Sequence, residues 1–81
     1  MNQAELSKEL RRRYDRAKRS QVILEIDLFG IDFGEEIRNN GFSIKTIVSE
    51  AGIQPSYITE VSKGVKLSEY VTRKKENNIH N

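Results

Sequence analysis

Side chains that could support acid–base or metal chemistry are few and widely separated in this 81-residue sequence. The single histidine, His80, lies in a polar tail where nothing would hold an imidazole in catalytic geometry. Glu35 and Glu36 are adjacent on a predicted helix, so their carboxylates point in different directions and do not form an acid–base pair. Cysteine is absent, which excludes disulfides and thiolate metal sites. We therefore expect a non-enzyme with no cofactor and no bound metal.

The other polar and glycine motifs do not predict a ligand site. Asp27 and Asp32 lack the neighbouring carboxylates that would bind a cation, and Gly30 and Gly34 do not have the spacing of a phosphate-binding loop. No apolar run approaches the ~20 residues needed to cross a bilayer, and the N-terminus does not resemble a signal peptide. These features predict a cytoplasmic protein with no membrane partner.

Length and composition predict one small domain. Hydrophobic residues make up 36% of the chain and charged residues 32%, so the core must be small and its stability limited. Oligomerisation would be a natural source of further stability.

The net charge of +2 conceals a segregation of charge along the chain. Residues 1–20 carry a charge of +4 and residues 21–36 carry −5, whereas residues 37–64 and 65–81 carry +1 and +2. A basic face is typical of proteins that bind phosphates. Solvated helix faces also carry such charge runs, so both interpretations stay open.

The strongest local pattern, in residues 43–64, is that of a helix-turn-helix. Apolar residues mark one face of each predicted helix: Ile47, Val48 and Ala51 in the first, Ile58 and Val61 in the second. Gly52 suits a sharp turn that needs a positive φ, and Ile53 can fill the wedge between the helices. Pro55 suits the first turn of the second helix, predicted at about 55–63, and Gly64 would end it.

This segment resembles the Cro/repressor-type (xenobiotic-response-element) family of helix-turn-helix proteins. The resemblance runs without gaps from Ser43 to Gly64 and rests on Ala51-Gly52 and on Tyr57-Ile58 followed by Val61. Phe33, Ile37 and Gly41-Phe42 continue it backwards as the family's first helix, so it covers about 32 of the 81 residues. The resemblance implies an all-α fold, double-stranded DNA as the partner, and a second motif helix in the major groove.

The resemblance also implies which side chains would touch DNA. The base contacts would be Pro55, Ser56, Thr59 and Glu60. The phosphate contacts would be Arg38, Lys45, Gln54 and Lys63. A serine hydroxyl can donate to or accept from most bases, and a glutamate can accept from the amine of cytosine. The implied role is a small transcriptional regulator, such as a repressor, of a phage, plasmid or other mobile element.

Some residues depart from the family pattern and favour a second hypothesis. Ile44 stands where the family commonly has a phosphate-binding glutamine, Pro55 has no hydrogen-bonding side chain, and Glu60 would be repelled by phosphates. The motif's own cations are few, so affinity would also need Arg38, the basic N-terminal helix or residues 73–75. The alternative is a protein-binding adaptor or inhibitor that reuses this fold without reading DNA.

The region before the motif is predicted to be a basic helix over residues 3–20 followed by an ambiguous segment, residues 21–29. That segment has a period-two pattern typical of a strand, which would have to pair with a second copy. It also extends the first helix as a heptad seam, and we favour the helix. The seam predicts a homodimer, or a protein partner held by the N-terminal helix, through Leu10, Tyr14, Ala17, Leu24 and Leu28.

The predicted fold is thus all-α, a small helical domain with a helix-turn-helix and an N-terminal basic helix. Gly30 is expected to end the preceding segment, and Asp32 to cap a short helix to Asn40 through a capping box with Glu35. A last helix is predicted from Leu67 to about residue 75. The expected division is residues 1–29 (basic helix and dimerisation segment), 30–76 (helix-turn-helix domain) and 77–81 (disordered tail).

Overall fold

The computed structural model describes residues 1–71, and within this range all regular structure is helical. The α-helices are α1 (Gln3–Arg16), α2 (Val22–Asn40), α3 (Ile44–Ala51) and α4 (Tyr57–Leu67), with a 3₁₀ turn at Arg19–Gln21 before α2. The all-α prediction and the helical interpretation of residues 21–29 are confirmed.

Helix α1 is shorter than predicted because the chain becomes extended at Ala17, where φ is −68° and ψ is 139°. A capping box begins the helix. The side-chain oxygen of Asn2 accepts from the backbone N–H of Glu5, and the Glu5 carboxylate accepts from the backbone N–H of Asn2, both at 2.8 Å. Since α1 and α2 are separate helices, the heptad seam predicted from Leu10 to Leu28 does not lie along one continuous helix.

Helix α2 is continuous through Gly30, which corrects the break and the separate helix predicted there. Asp32 does not cap a helix; its carboxylate binds Arg13 of α1 at 2.8 Å. The predicted boundary between residues 29 and 30 therefore falls inside a single helix. Glycine weakens a helix by about 1 kcal/mol relative to alanine, so a compensating contact must favour it here.

That contact is a close approach between α2 and α4. A Cβ atom added to Gly30 would lie 2.6 Å from the Val61 carbonyl oxygen, and one added to Gly64 would lie 2.3 Å from the Asp27 carbonyl oxygen. Gly34 lies in the same stripe one turn later, facing Val65 and Ser68. The glycines let the two backbones touch. Gly64 therefore lies inside α4 instead of ending it, which corrects the predicted helix end.

The core lies between all four helices and is small, as composition predicts. Its fully buried large side chains are Leu6, Leu10, Ile26, Phe29, Ile47, Val48 and Val61. Phe33, Phe42 and Tyr57 pack at its edge. Burial of Leu6 and Leu10 means that α1 belongs to the same core as the motif.

After α4, residues 68–70 form a turn, so the last helix predicted from Leu67 does not begin there. The rest of that predicted helix, the tail at 77–81 and His80 lie outside the described residues.

Candidate nucleic-acid interface

The motif has the turn that its sequence predicts. The Ser43 hydroxyl caps α3 by accepting from the Thr46 amide at 3.1 Å. Gly52 ends α3 in the left-handed region with φ 75°, and Ile53 is 8% exposed between the helices. These local predictions are confirmed.

Helix α1 holds this turn from outside the motif. Arg11 donates from Nη1 to the carbonyl oxygens of Ala51 at 3.2 Å and Gly52 at 3.5 Å, satisfying groups that the end of α3 leaves free. The Ser7 hydroxyl lies 3.3 Å from the Glu50 carboxylate one turn earlier. The basic N-terminal helix thus supports the motif through side chains.

The start of α4 is exposed where a reading helix would present its first residues. Pro55, Ser56 and Thr59 are all exposed, and Ser56 is the N-cap residue without a side-chain hydrogen bond. Helix α4 begins at Tyr57, two residues later than predicted, because Pro55 lies in the preceding turn. Tyr57 packs edge-on against Tyr14 of α1, with ring centroids 5.8 Å apart.

The fourth predicted base contact, Glu60, is engaged within the fold. Its carboxylate lies 2.9 Å from the Lys63 ammonium, which also lies 3.6 Å from Asp27 of α2. The hydrogen bond from Lys63 lowers the pKa of Glu60. Burial, together with a hydrogen bond to Glu60, raises the pKa of Asp27. Glu60 and Lys63 would have to leave this cluster to touch DNA.

The predicted phosphate contacts likewise divide into engaged and free groups. Arg38 donates from Nη1 to the Val65 carbonyl oxygen at 2.9 Å and to the Ser68 hydroxyl at 2.5 Å, so it joins α2 to the end of α4. Lys45 and Gln54 are exposed, and Lys45 makes no ion pair with residues 1–71. All four side chains are exposed, but Arg38 and Lys63 are held by contacts within the fold, whereas Lys45 and Gln54 are not.

Sequence reasoning named the basic N-terminal helix as a source of affinity but did not single out the three exposed cations at its end. Arg16, Lys18 and Arg19 lie where α1 turns into α2, and Arg19 and Tyr57 line one cleft of about 480 Å³. None of the three makes an ion pair within residues 1–71. The basic run was visible in the sequence, but its closeness to α4 depends on how α1 packs.

By contrast, the cations in the middle of α1 are neutralised. Arg12 and Arg13 bind Glu9 at 2.6 and 2.7 Å, and the hydrogen bond from Arg12 helps lower the pKa of Glu9 to about 2. Arg13 also lies over the Phe33 ring, 5.2 Å from its centroid.

The predicted dimerisation residues are not brought together on one free surface. Leu10 is fully buried in the core, and Tyr14 packs against Tyr57, because a chain this small needs both for its own packing. Ala17 and Leu28 are half-buried, and Leu24 is 51% exposed. Leu24 is therefore the member of the predicted seam most available to a partner.

None of the α-helices between residues 1 and 71 has the length and apolar composition needed to span a bilayer. The same residues bring together no group of three or more histidine, aspartate or glutamate side chains suited to a metal ion.

Comparison with known proteins places this geometry in a family. No curated protein and no solved structure matches the chain. A family model described as an HTH-like domain matches residues 2–74, without distinguishing the Cro/repressor type. Because that match covers most of the sequence, the chain belongs to the family of HTH-like domains.

Proposed function

We propose that this protein is a sequence-specific DNA-binding regulator that reads the major groove with α4. The observation that carries the proposal is the motif itself: α3, the Gly52 turn and α4, with Pro55, Ser56 and Thr59 exposed at the start of α4. The first residues of the second helix are those that contact base edges in helix-turn-helix proteins. A Cro/repressor-type regulator of a phage, plasmid or other mobile element, acting in the cytoplasm, is the role most consistent with this motif and the small size.

Selection of bound sequences from random duplex DNA tests this function directly. We expect enrichment of a defined site, and an affinity that falls steeply as salt rises, because phosphate contacts release counterions. Failure to enrich any sequence, together with binding that ignores salt, would contradict the proposal.

Substitutions on α4 separate reading from anchoring. Ser56→Ala should change the preferred base at one position by about 1–3 kcal/mol if the hydroxyl contacts a base edge. If Glu60 and Lys63 leave their cluster with Asp27 on binding, Glu60→Gln should do the same and Lys63→Ala should weaken binding to all sequences alike. Competition between matched and scrambled duplexes measures both effects. Wild-type behaviour in all three variants would remove α4 as the reading helix.

A regulator of this size should bind as a dimer, since one short reading helix contacts too few bases for useful specificity. Leu24 is our candidate contact because it is apolar and 51% exposed. Leu24→Asp should shift the protein from dimer to monomer in light scattering. The control is Ile23→Asp at the neighbouring isoleucine, which is 48% exposed and outside the seam. A wild type that is monomeric at high concentration contradicts the dimer.

A protein-binding adaptor or inhibitor is the second candidate function. The engagement of Glu60, Lys63 and Arg38 inside the fold favours it, because it leaves the motif few free cations. Exposed Leu67 and Tyr70 at the end of α4 provide apolar surface for a protein partner. Retention on heparin at two salt concentrations discriminates the two: no salt dependence supports the adaptor.

A further inference from the structure

From the position of three free cations we infer that Arg16, Lys18 and Arg19, here called the basic corner, form a phosphate-binding site for the DNA backbone beside the reading helix. This inference rests on the proposed function, because it supplies anchoring contacts for a helix that reads DNA. Its ligand is the phosphodiester group of duplex DNA. Phosphate contacts fix the register of such a helix without carrying sequence information.

The first support is position. Arg19 shares a cleft with Tyr57, the first residue of α4. The other residues that line it are Tyr14, Asp15, Ala17, Val22 and Ile23. The edge-on contact between Tyr14 and Tyr57, with centroids 5.8 Å apart, fixes the end of α1 against the start of α4. Phosphates flank the groove that the start of a reading helix enters, so Arg19 lies where the backbone of the bound duplex would pass. Arg16 and Lys18 line an adjoining cleft that shares Ala17 with this one.

The second support is that the charges of the basic corner are free. All three side chains are exposed, and none makes an ion pair within the described part of the chain. Asp15 lines the same cleft as Arg19, but its carboxylate binds Arg11 at 3.0 Å. Glu25 lines the cleft that also holds Arg16 and Lys18, and is one negative charge against the three positive ones. The corner therefore keeps a net positive charge toward solvent.

The third support is the engagement of the cations nearest the motif. Arg38 binds the end of α4, and Lys63 binds Glu60 and Asp27. A DNA-binding surface built on the motif alone would leave Lys45 as its free cation between residues 37 and 64. The basic corner supplies the missing charge from a different part of the chain.

The test is the salt dependence of duplex binding by Lys18→Ala/Arg19→Ala, measured by fluorescence anisotropy from about 50 to 200 mM salt. If each side chain contacts one phosphate, the slope of log affinity against log salt should fall by about two units, with the preferred site unchanged. Lys18→Arg/Arg19→Lys conserves both charges and should keep most of the slope. Circular dichroism checks that every variant melts like the wild type.

The matched control is Lys8→Ala/Lys66→Ala, which removes the same net charge elsewhere. Lys8 lies about 12 Å before Arg16 along α1, and Lys66 lies about 14 Å beyond the start of α4. Both are exposed. An equal loss of slope in the two double variants would overturn the site, because net charge alone would explain it.

Other outcomes separate this inference from the function on which it rests. If the wild type binds a selected duplex and Lys18→Ala/Arg19→Ala binds it with the same slope, the basic corner is overturned while DNA reading stands. If the wild type binds no duplex, both fall. Salt-sensitive binding of polyglutamate in that case, lost in the double variant, would assign the corner to an acidic protein partner instead.

Discussion

The two contacts that hold the motif in place, α2 against α4 and α1 against α3, differ in which atoms meet. Between α2 and α4 the backbones touch, since a Cβ on Gly64 would lie 2.9 Å from the Gly30 Cα. Between α1 and α3 side chains bridge the gap, with Arg11 and Ser7 reaching the end of α3. Backbone contact cannot adjust to an added atom, whereas long side chains can rotate. The α2–α4 contact should therefore tolerate substitution far less than the α1–α3 contact.

The largest expected effect is at the α2–α4 contact. Gly64→Ala should destabilise the fold by about 2–4 kcal/mol, because the new methyl group must displace backbone. The sign of this change in the free energy of unfolding is informative, because replacing glycine with alanine inside a helix normally stabilises it by about 1 kcal/mol. Urea unfolding measures it. In the control, Gly41→Ala, nothing lies within 4 Å of the added atom, and only the left-handed φ of 65° adds strain, about 1 kcal/mol. Equal losses in both variants would contradict the close approach.

A smaller effect is expected at the turn that α1 supports. Gly52→Val should destabilise the protein by about 2 kcal/mol, because a β-branched residue is poorly tolerated at a φ of 75°. Gly52→Asn should lose less stability than Gly52→Val, because asparagine adopts the left-handed conformation more readily than valine. Thermal melting compares the two, and an unchanged melting temperature for valine would remove the turn assignment.

At the α1–α3 contact, Arg11→Met should lower the free energy of unfolding by about 1 kcal/mol. It keeps an apolar stem and removes the bonds to the Ala51 and Gly52 carbonyls. It also removes the ion pair with Asp15, which is exposed and contributes little. Arg16→Met is the matched control, because Arg16 is exposed and makes no ion pair within residues 1–71, and it should stay within about 0.5 kcal/mol. If Arg11→Met lost as much stability as Gly64→Ala, the α1–α3 contact would be no more tolerant of substitution than the α2–α4 contact, and the expected difference between them would be wrong.

The smallest effect is expected at the polar edge of the α2–α4 contact. The pKa of Asp27 is raised in the fold, so its contribution to stability is present below its ordinary value of 3.8 and is lost as pH rises through the raised value. Asp27→Asn should therefore stabilise the protein at pH 7 by about 0.5 kcal/mol. The gain should vanish below pH 3.8. Urea unfolding at both pH values tests this, with Glu35→Gln on the exposed face of α2 as the control. A loss of stability at pH 7 would show that the bond to Lys63 outweighs burial.

Predictions that depended on neighbouring residues alone succeeded around the turn of the motif, although the capping box predicted from Asp32 and Glu35 did not form because both residues lie inside α2. The Ser43 cap and the Gly52 turn follow from hydrogen bonds and dihedral angles within a few residues. Predictions that treated glycine as a helix end failed at Gly30 and Gly64, because both glycines serve a contact with another helix. A local rule cannot distinguish a glycine that ends a helix from one that admits a neighbouring backbone.

The sequence by itself determined the helical class, the position of the motif and the face that each motif helix buries, since these depend on periodicity and short-range bonding. Only the tertiary structure decided which charged groups are free. It engages Arg38 and Lys63 within the fold and leaves Arg19 beside the start of α4. The physical reason is that a charge's availability depends on what lies within a few ångströms in space, and those neighbours come from helices distant in the chain.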